Sequence, residues 1–544
     1  MIFWLACTTP DKPADTGPAE AIDDTGATPE GDDTAPPGET AEPVDLPALV
    51  INELMPKNDS TVNDPDGGTA DWVELYNADD EAVDLSTVSL VDTSEVVWTG
   101  TGTLEPGERL LLWADDSKEP DGTHLPFALS SEGETLELSV DGQVVDTVET
   151  GAMIGDVAWA RHPDGGDWAA TIDATPDAAN NAEPSASLDP SSVLFSAEAV
   201  HDIYLQVPED ERDTLDDVGN PVVVGSITFQ GVTLEGVGIR LKGSGSYRNL
   251  DGKCAFKVDM NETVPGQRMR SQKGLTFNNA NHDATWTHEY LTYGLSREAG
   301  YPAPRVGFAN VHLNGELFGL YIHLEDFDDF FLERWFDDHE QVYLWEGGKD
   351  DWSVAHTPDY ELEEGPDEGE GLLDEPGGER MLTAQTDEAW WDTWSDVIDM
   401  EAFATLNAIE SLTLNVDGYQ HVHNFYVYRD ADGRWGWLTA GADYSWTSVY
   451  YGPYEGEGNH FQHFLGNADW KALYDDQLVA AAALIESWDA VSRFDALGEL
   501  LQPSIDADPR KEHNPLAIQS SRESTRHYLE TWPAEMVEAT KIGN

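Results

Sequence analysis

Cysteine is nearly absent from this chain: Cys7 and Cys254 are the only two in 544 residues. Two thiols close at most one bridge, which excludes a disulfide-stapled scaffold. Basic residues are also scarce, with 28 Lys and Arg against 106 Asp and Glu, a formal charge of −78. Nucleic acid needs clustered cations, and an anionic bilayer repels such a chain, so neither is a main partner. No internal stretch reaches the roughly 18 apolar residues of a membrane-crossing helix. Aromatic residues, by contrast, make up 10% of the chain, with 19 Trp. That is too many for a wholly disordered acidic polymer, and the length allows two or three domains with full cores. The acid excess fits divalent cations, a basic partner or solubility in salt.

Met1-Ile-Phe-Trp-Leu-Ala-Cys7 reads as a truncated lipoprotein-type signal, with Cys7 as the lipidated first mature residue. This predicts export to a bacterial cell envelope or the extracellular space, with membrane contact only through that lipid. Cys254 is then a free, buried thiol. Residues 8–45 hold seven Pro, seven Thr, eleven acidic residues and one Lys, a composition that predicts a disordered, extended linker.

From Leu49 short apolar runs recur every eight to fifteen residues, punctuated by Gly, Pro and Asp. They include Val50–Met55, Trp72–Tyr76, Leu110–Trp113, Thr135–Val140 and Val144–Val148. Strands at this spacing predict a β-sandwich over 46–182. Ile51-Asn52-Glu53, Asp71–Asn77, Val83-Asp84-Leu85, Pro106-Gly107, Gly133-Glu134 and Thr175-Pro176 with Asn180 resemble the lamin-tail domain family. The resemblance implies an immunoglobulin-like sandwich serving as an adhesion or spacer module. Glu53, Asp71 and Glu74 are candidate calcium ligands, although carboxylates capping strand ends are the more ordinary reading.

Residues 183–192 read as a linker. A β-rich stretch over 190–345 and a helical stretch over 346–544 follow, the layout of an α+β, two-lobed, kinase-like domain. His288–Ala299 is a predicted helix, and Asn314-Gly315 a predicted hairpin turn. Residues 357–380, with ten acidic residues, are a predicted exposed loop. Further helices are expected at Glu401–Leu412, Leu473–Ala490 and Arg522–Glu530, the last stopping before Pro533. Trp390, Trp391 and Trp394 could form a sugar platform, but packing in a helical core or on a partly exposed helix face is the more ordinary reading.

Three clusters carry chemistry. The first is Arg240-Leu-Lys242-Gly243-Ser244-Gly-Ser246 with Lys253 and Lys257, a Gly/Ser turn that lets backbone approach phosphates beside cations. The second is Asn415-Val-Asp417-Gly418 with His423-Asn424, and the third is Ala442-Asp443. An Asp, an Asn seven residues on and an Asp closing the next strand can supply the oxygen ligands and the carboxylate that phosphoryl transfer needs. His421 and His423, if on one face of a strand, offer a rival transition-metal site with Asp417.

Together with Lys253-x-x-Phe256-Lys-Val-Asp259, Gly300–Arg305 and Val311–Glu316, these clusters resemble the CotH kinase family. That resemblance implies an exported, atypical, ATP-dependent protein kinase using Mg²⁺ or Mn²⁺. It implies that Lys253 contacts ATP phosphates, with Lys242 and Lys257 as nearby rivals, and that Glu289 is its helix partner. Lys242, Gly243, Ser244 and Ser246 line the nucleotide, and Glu325 sits at a hinge beside the adenine. Asp417 faces the acceptor hydroxyl, and Asn424 and Asp443 hold the metal. Ser445 stands where the family commonly has a second Asp, which favours an alternative: a non-catalytic surface adhesion or scaffold protein. The acceptor is expected to be an envelope or extracellular protein with a basic surface, and the kinase a monomer.

Overall fold

The computed structural model describes residues 46–117, 122–181, 184–217, 219–243, 245–347, 351, 360–366, 387–446 and 451–542. Cys7, the linker 8–45 and Ser244 lie outside the described residues.

Alternation of apolar and polar side chains builds the first domain. Its strands are β1 (Leu49–Met55), β2 (Asp71–Asn77), β3 (Val83–Asp84), β4 (Val88–Val91), β5 (Val97–Thr99), β6 (Thr103–Leu104), β7 (Arg109–Ala114), β8 (Thr135–Val140), β9 (Gln143–Glu149), β10 (Ala158–His162) and β11 (Asp167–Thr171). They form two antiparallel sheets, β11-β10-β1-β2-β7 and β5-β4-β8-β9, with β3 paired to β6. Ile51, Val73, Leu75, Leu90, Leu112, Leu136 and Trp98 are buried in one cluster. This is the sandwich that the strand spacing predicts.

The next seven strands are β12 (His201–Gln206), β13 (Val223–Phe229), β14 (Val232–Lys242), β15 (Ala255–Asp259), β16 (Gly274–Asn278), β17 (Val306–Leu313) and β18 (Glu316–Glu325). They close into a barrel in the order β12-β13-β14-β15-β16-β18-β17, sealed by parallel pairing of β12 with β17. Asn314 and Gly315, with φ of 51° and 82°, turn β17 into β18 as expected. Ile203, Ile239, Leu241, Phe256, Val258 and Phe277 fill the interior. Helix α1 (Arg212–Leu215) lies between β12 and β13, and α2 (His288–Glu298) between β16 and β17.

After α3 (Asp329–Trp335), a four-stranded sheet has the order β20-β19-β21-β22, from β19 (Tyr343–Glu346), β20 (Glu361–Glu364), β21 (Phe425–Arg429) and β22 (Trp435–Thr439). The expected division at 345/346 therefore falls inside a strand, because β19 pairs with β21 from the second half. Part of the expected acidic loop is the strand β20, and residues 357–359 and 367–380 lie outside the described residues. The helical part comprises α4 (Asp387–Val397), α5 (Met400–Thr413), α6 (Asn459–Gly466), α7 (Ala468–Ser487), α8 (Ala490–Ala507) and α9 (Pro515–Ile542).

Asp489 in the left-handed region (φ 52°) breaks α7 from α8, so the helix expected at 473–490 stops earlier. Helix α9 continues through Pro533, against expectation. Leu529, Trp532 and Met536 are buried around it, and that burial outweighs the roughly 3 kcal/mol a helix-interior proline costs. Trp390 and Trp394 stack in the core, ring centroids 4.1 Å apart.

Polar clips fasten the sandwich to the barrel. The Asn63 amide donates to the Thr233 carbonyl (3.1 Å) and accepts from its N–H (2.8 Å), as a neighbouring strand would. The Arg270 N–H donates to Ser60 Oγ (2.6 Å), and Ser60 in turn bonds the buried Asp156.

Candidate active site

Strand alternation sets one wall of a polar cleft. Ile239 and Leu241 point into the barrel, so Arg240 and Lys242 point out of it. Lys257 on β15 and Asn278 on β16 share that outer face, because their neighbours Phe256, Val258 and Phe277 are interior. Lys242 Nζ donates to Asn278 Oδ1 (3.2 Å), and Asn278 Nδ2 donates to Glu289 Oε1 (2.6 Å). Glu289, on α2, is 1% exposed and its Oε2 has no hydrogen-bond partner. Burial and the nearby Asp443 push its carboxyl up to about 8, against the pull of Lys242. Burial depresses the Lys242 ammonium, with Glu289 and Asp326 opposing.

The facing wall comes from the loops around β21 and β22. Helix α5 ends with Leu414 in the left-handed region (φ 51°), which turns the chain into the Asp417 loop. Glu410, buried in α5, accepts the Tyr419 N–H (3.0 Å), the Gln420 N–H (2.7 Å) and the Thr439 hydroxyl, pinning that loop to β22. A side chain at Gly418 would collide with Glu410, which explains the glycine after Asp417. Asn424 Nδ2 donates to Asp417 Oδ2 (2.6 Å). Gly441 lies beneath this pair, where a Cβ would stand 2.7 Å from Asn424 Nδ2. Burial, and then the charge of Asp443, raises the Asp417 carboxyl above its ordinary value, with His423 and His282 opposing.

Asp443 Oδ2 accepts from His282 Nδ1 (3.0 Å), and Tyr444 stacks on that imidazole (4.1 Å). The Asp443 carbonyl accepts from His288 Nδ1 (3.2 Å). Gly243 turns the chain after Lys242 with φ of 110°, and a Cβ there would stand 2.8 Å from Ser246 Oγ. Asn279 Nδ2 holds the Ser246 carbonyl (3.0 Å).

Asp417, Asn424, Asp443, Glu289, Lys242 and the Gly243 turn thus converge, and other expected residues do not. Lys253 is 1% exposed and pairs with Asp508 (2.5 Å), with the Trp286 and Tyr321 rings each 5.3 Å away. It is a structural cation between β15 and the end of α8, and Lys242 takes the position beside Glu289 that the resemblance assigns to it. The Glu325 side chain is fully engaged by Arg305 (2.8 Å) and Arg334 at the end of β18, and its N–H donates to the Arg305 carbonyl (3.1 Å). His421 and His423 do not share a strand face. They flank a left-handed Val422 after a 3₁₀ turn, His421 packs on Tyr451, and His423 Nδ1 donates to the His421 carbonyl (2.7 Å). Ser445 is buried, bonded to Thr292 Oγ1 (2.8 Å) and to the Ala442 carbonyl. Burial raises the Cys254 thiol far above its ordinary range, as expected of an inert cysteine.

The calcium reading of the sandwich carboxylates also fails on geometry. Glu53 accepts from the Thr175 N–H (3.1 Å) and hydroxyl (3.0 Å), and Glu74 from Asn52 Nδ2 (2.8 Å) and the Asp177 N–H (2.8 Å). Asp71 accepts the Asn58 N–H (3.0 Å). These oxygens tie loops to the sheet.

The sequence reasoning missed His282, Asn278 and Glu410. Glu410 had a legible signal: it is the one charged residue in the stretch Ala404–Leu412. Asn278 lies in Leu275-Thr-Phe-Asn-Asn279, a run that belongs to the CotH resemblance without a role attached, and His282 belongs to no local pattern.

Cations on one wall, carboxylates on the other, and a buried Glu289 oxygen with no protein partner form a donor set that fits a metal-bound phosphate chain. Comparison with curated proteins finds no match. The model of the CotH kinase protein family matches residues 239–533, and that of the Lamin Tail Domain matches residues 45–152. With more than half of its length matched, the chain belongs to the CotH kinase protein family and carries a lamin tail domain before its kinase-family region.

Proposed function

We propose that the chain is an exported, surface-tethered, atypical protein kinase that transfers the γ-phosphate of ATP to hydroxyls of an envelope or extracellular protein. The barrel would act as the nucleotide-side lobe and the helical part as the acceptor-side lobe of a kinase-like arrangement. The single observation that carries this reading is the convergence of Asp417, Asn424 and Asp443 opposite Lys242 and Glu289.

Asn424 and Asp443 would hold Mg²⁺ or Mn²⁺, which when bound supplies positive charge for the phosphates. Lys242 would neutralise phosphate oxygens, held in place by Glu289 through Asn278. Asp417 would orient the acceptor hydroxyl and take its proton, and its raised pKa strengthens it as a base. His282 would keep the Asp443 carboxylate aimed into the cleft. An acceptor with a basic surface suits a chain of charge −78. Lipidation at Cys7 would supply the tether.

Purified full-length protein with ATP and Mn²⁺ or Mg²⁺ should incorporate phosphate into itself, and Asp417→Ala and Asp443→Ala should each abolish this. Equal incorporation by the double variant would overturn the reading. A second reading, a non-catalytic surface adhesion protein, is favoured by one observation: Ser445 is buried and fully bonded, and adds no charge to the site.

A further inference from the structure

Three of the 28 cations crowd one face of two adjacent strands: Arg240, Lys242 and Lys257. Arg240 on β14 and Lys257 on β15 stand directly opposite in register. Like charges in that position destabilise a sheet. In so acidic a chain, two cations held face to face need an anion to relieve them. Lys257 has one, Asp326, at 3.4 Å. Among the described residues Arg240 has neither a hydrogen-bond nor an ion-pair partner. It is half-buried and within electrostatic reach of Lys257 and Tyr426. Glu346 and Glu363 approach Tyr426 from β19 and β20, yet neither pairs with Arg240.

The strand gives this cation a direction. β14 runs toward the Gly243 turn, and its last residue, Lys242, sits beside Glu289 within reach of Asp443. Arg240 lies two residues back, roughly 7 Å along the strand, beside Lys257 and Tyr426. That is a separation a triphosphate can bridge. A guanidinium presents a fork that matches a pair of phosphate oxygens, as an ammonium does not.

We infer that Arg240, with Lys257 beside it, forms a subsite for the nucleoside-proximal phosphate, while Lys242 serves the phosphates at the reacting end. The inference rests on the nucleotide reading above and goes beyond it: the cleft recognises a nucleotide by two cations spaced along its phosphate chain. It has a signature in chain length. A subsite for the proximal phosphate is used by ATP, ADP and AMP alike, whereas Lys242 is used most by ATP and least by AMP.

The test is calorimetric titration of the full chain with ATP, ADP and AMP at fixed Mn²⁺, for wild type, Arg240→Gln, Arg240→Lys and Lys242→Gln. Arg240→Gln should weaken all three nucleotides by about tenfold or more, the scale of one lost charge-assisted hydrogen bond. Arg240→Lys should recover part of that loss. Lys242→Gln should weaken ATP strongly and AMP by less than about threefold. Arg240→Gln removes a like-charge contact, so its melting temperature should not fall, and the lysine variant covers the case in which it does. Unchanged AMP affinity in Arg240→Gln, or a loss confined to ATP, would overturn the subsite. Wild-type protein that binds none of the three would remove the nucleotide reading itself and this inference with it.

Discussion

The sandwich and the cleft both bury carboxylates, and they use them in opposite ways. In the sandwich Glu53 and Glu74 are fully buried, and both oxygens of each accept from nearby N–H or O–H groups. In the cleft Glu289 is as deeply buried, but one oxygen is bonded only to Asn278 and the other has no partner. Burial raises all three carboxyls, to about 8, about 7 and about 8. Burial and a raised pKa therefore do not distinguish a site from a scaffold. What distinguishes them is whether the protein itself has claimed the oxygens.

The largest effect should separate the two regions by activity. Asp443→Ala should lower phosphate transfer by at least about a thousandfold, as loss of a metal ligand does. Glu74→Ala should leave the transfer rate of the folded protein within a few-fold. If Glu74→Ala silenced transfer too, the division would fail. Next comes the pair of lysines. Lys253→Met leaves Asp508 buried without its cation and should cost about 3–5 kcal/mol in denaturant unfolding. Lys242→Gln should cost far less stability yet remove the nucleotide response.

A third effect is pH dependence in the sandwich. Glu53 and Glu74 have folded values of about 8 and about 7, above the 4.5 of an exposed glutamate. The folded state keeps protons that the unfolded chain releases, so their contribution is complete below about pH 4.5 and is lost as pH rises through 7 to 8. Melting temperature should fall across that window by the equivalent of a few kcal/mol, and Glu53→Gln should flatten the fall. An equally steep profile in Glu53→Gln would show that another group governs it. The smallest effect is at the junction. Asn63→Ala removes two hydrogen bonds to Thr233 and should cost about 1–2 kcal/mol, measurable as faster hydrogen exchange at the start of β14.

The sandwich, the Asn314-Gly315 hairpin and helix α2 were legible because each rests on local periodicity or turn chemistry. So was the grouping of Asp417, Asn424 and Asp443, which adjoin two short strands joined by a tight turn. The choice between Lys242 and Lys253 was not legible. It depends on which face of β14 enters the barrel, and on Asp508, 255 residues beyond Lys253. The pairing of His421 with His423 assumed a strand, and the chain makes a 3₁₀ turn there instead. The role of Glu325 turned on Arg305 and Arg334, whose approach only the folded chain reveals.

The central claim is that the cleft carboxylates are left open for a metal-bound nucleotide. Thermal unfolding of the full chain with millimolar ATP and Mn²⁺ tests it most directly, since a ligand that binds only the folded state raises its melting temperature. The wild type and Glu74→Ala should each show a metal-dependent rise, and Asp443→Ala should show none. No rise in the wild type, or the same rise in Asp443→Ala, would contradict the account.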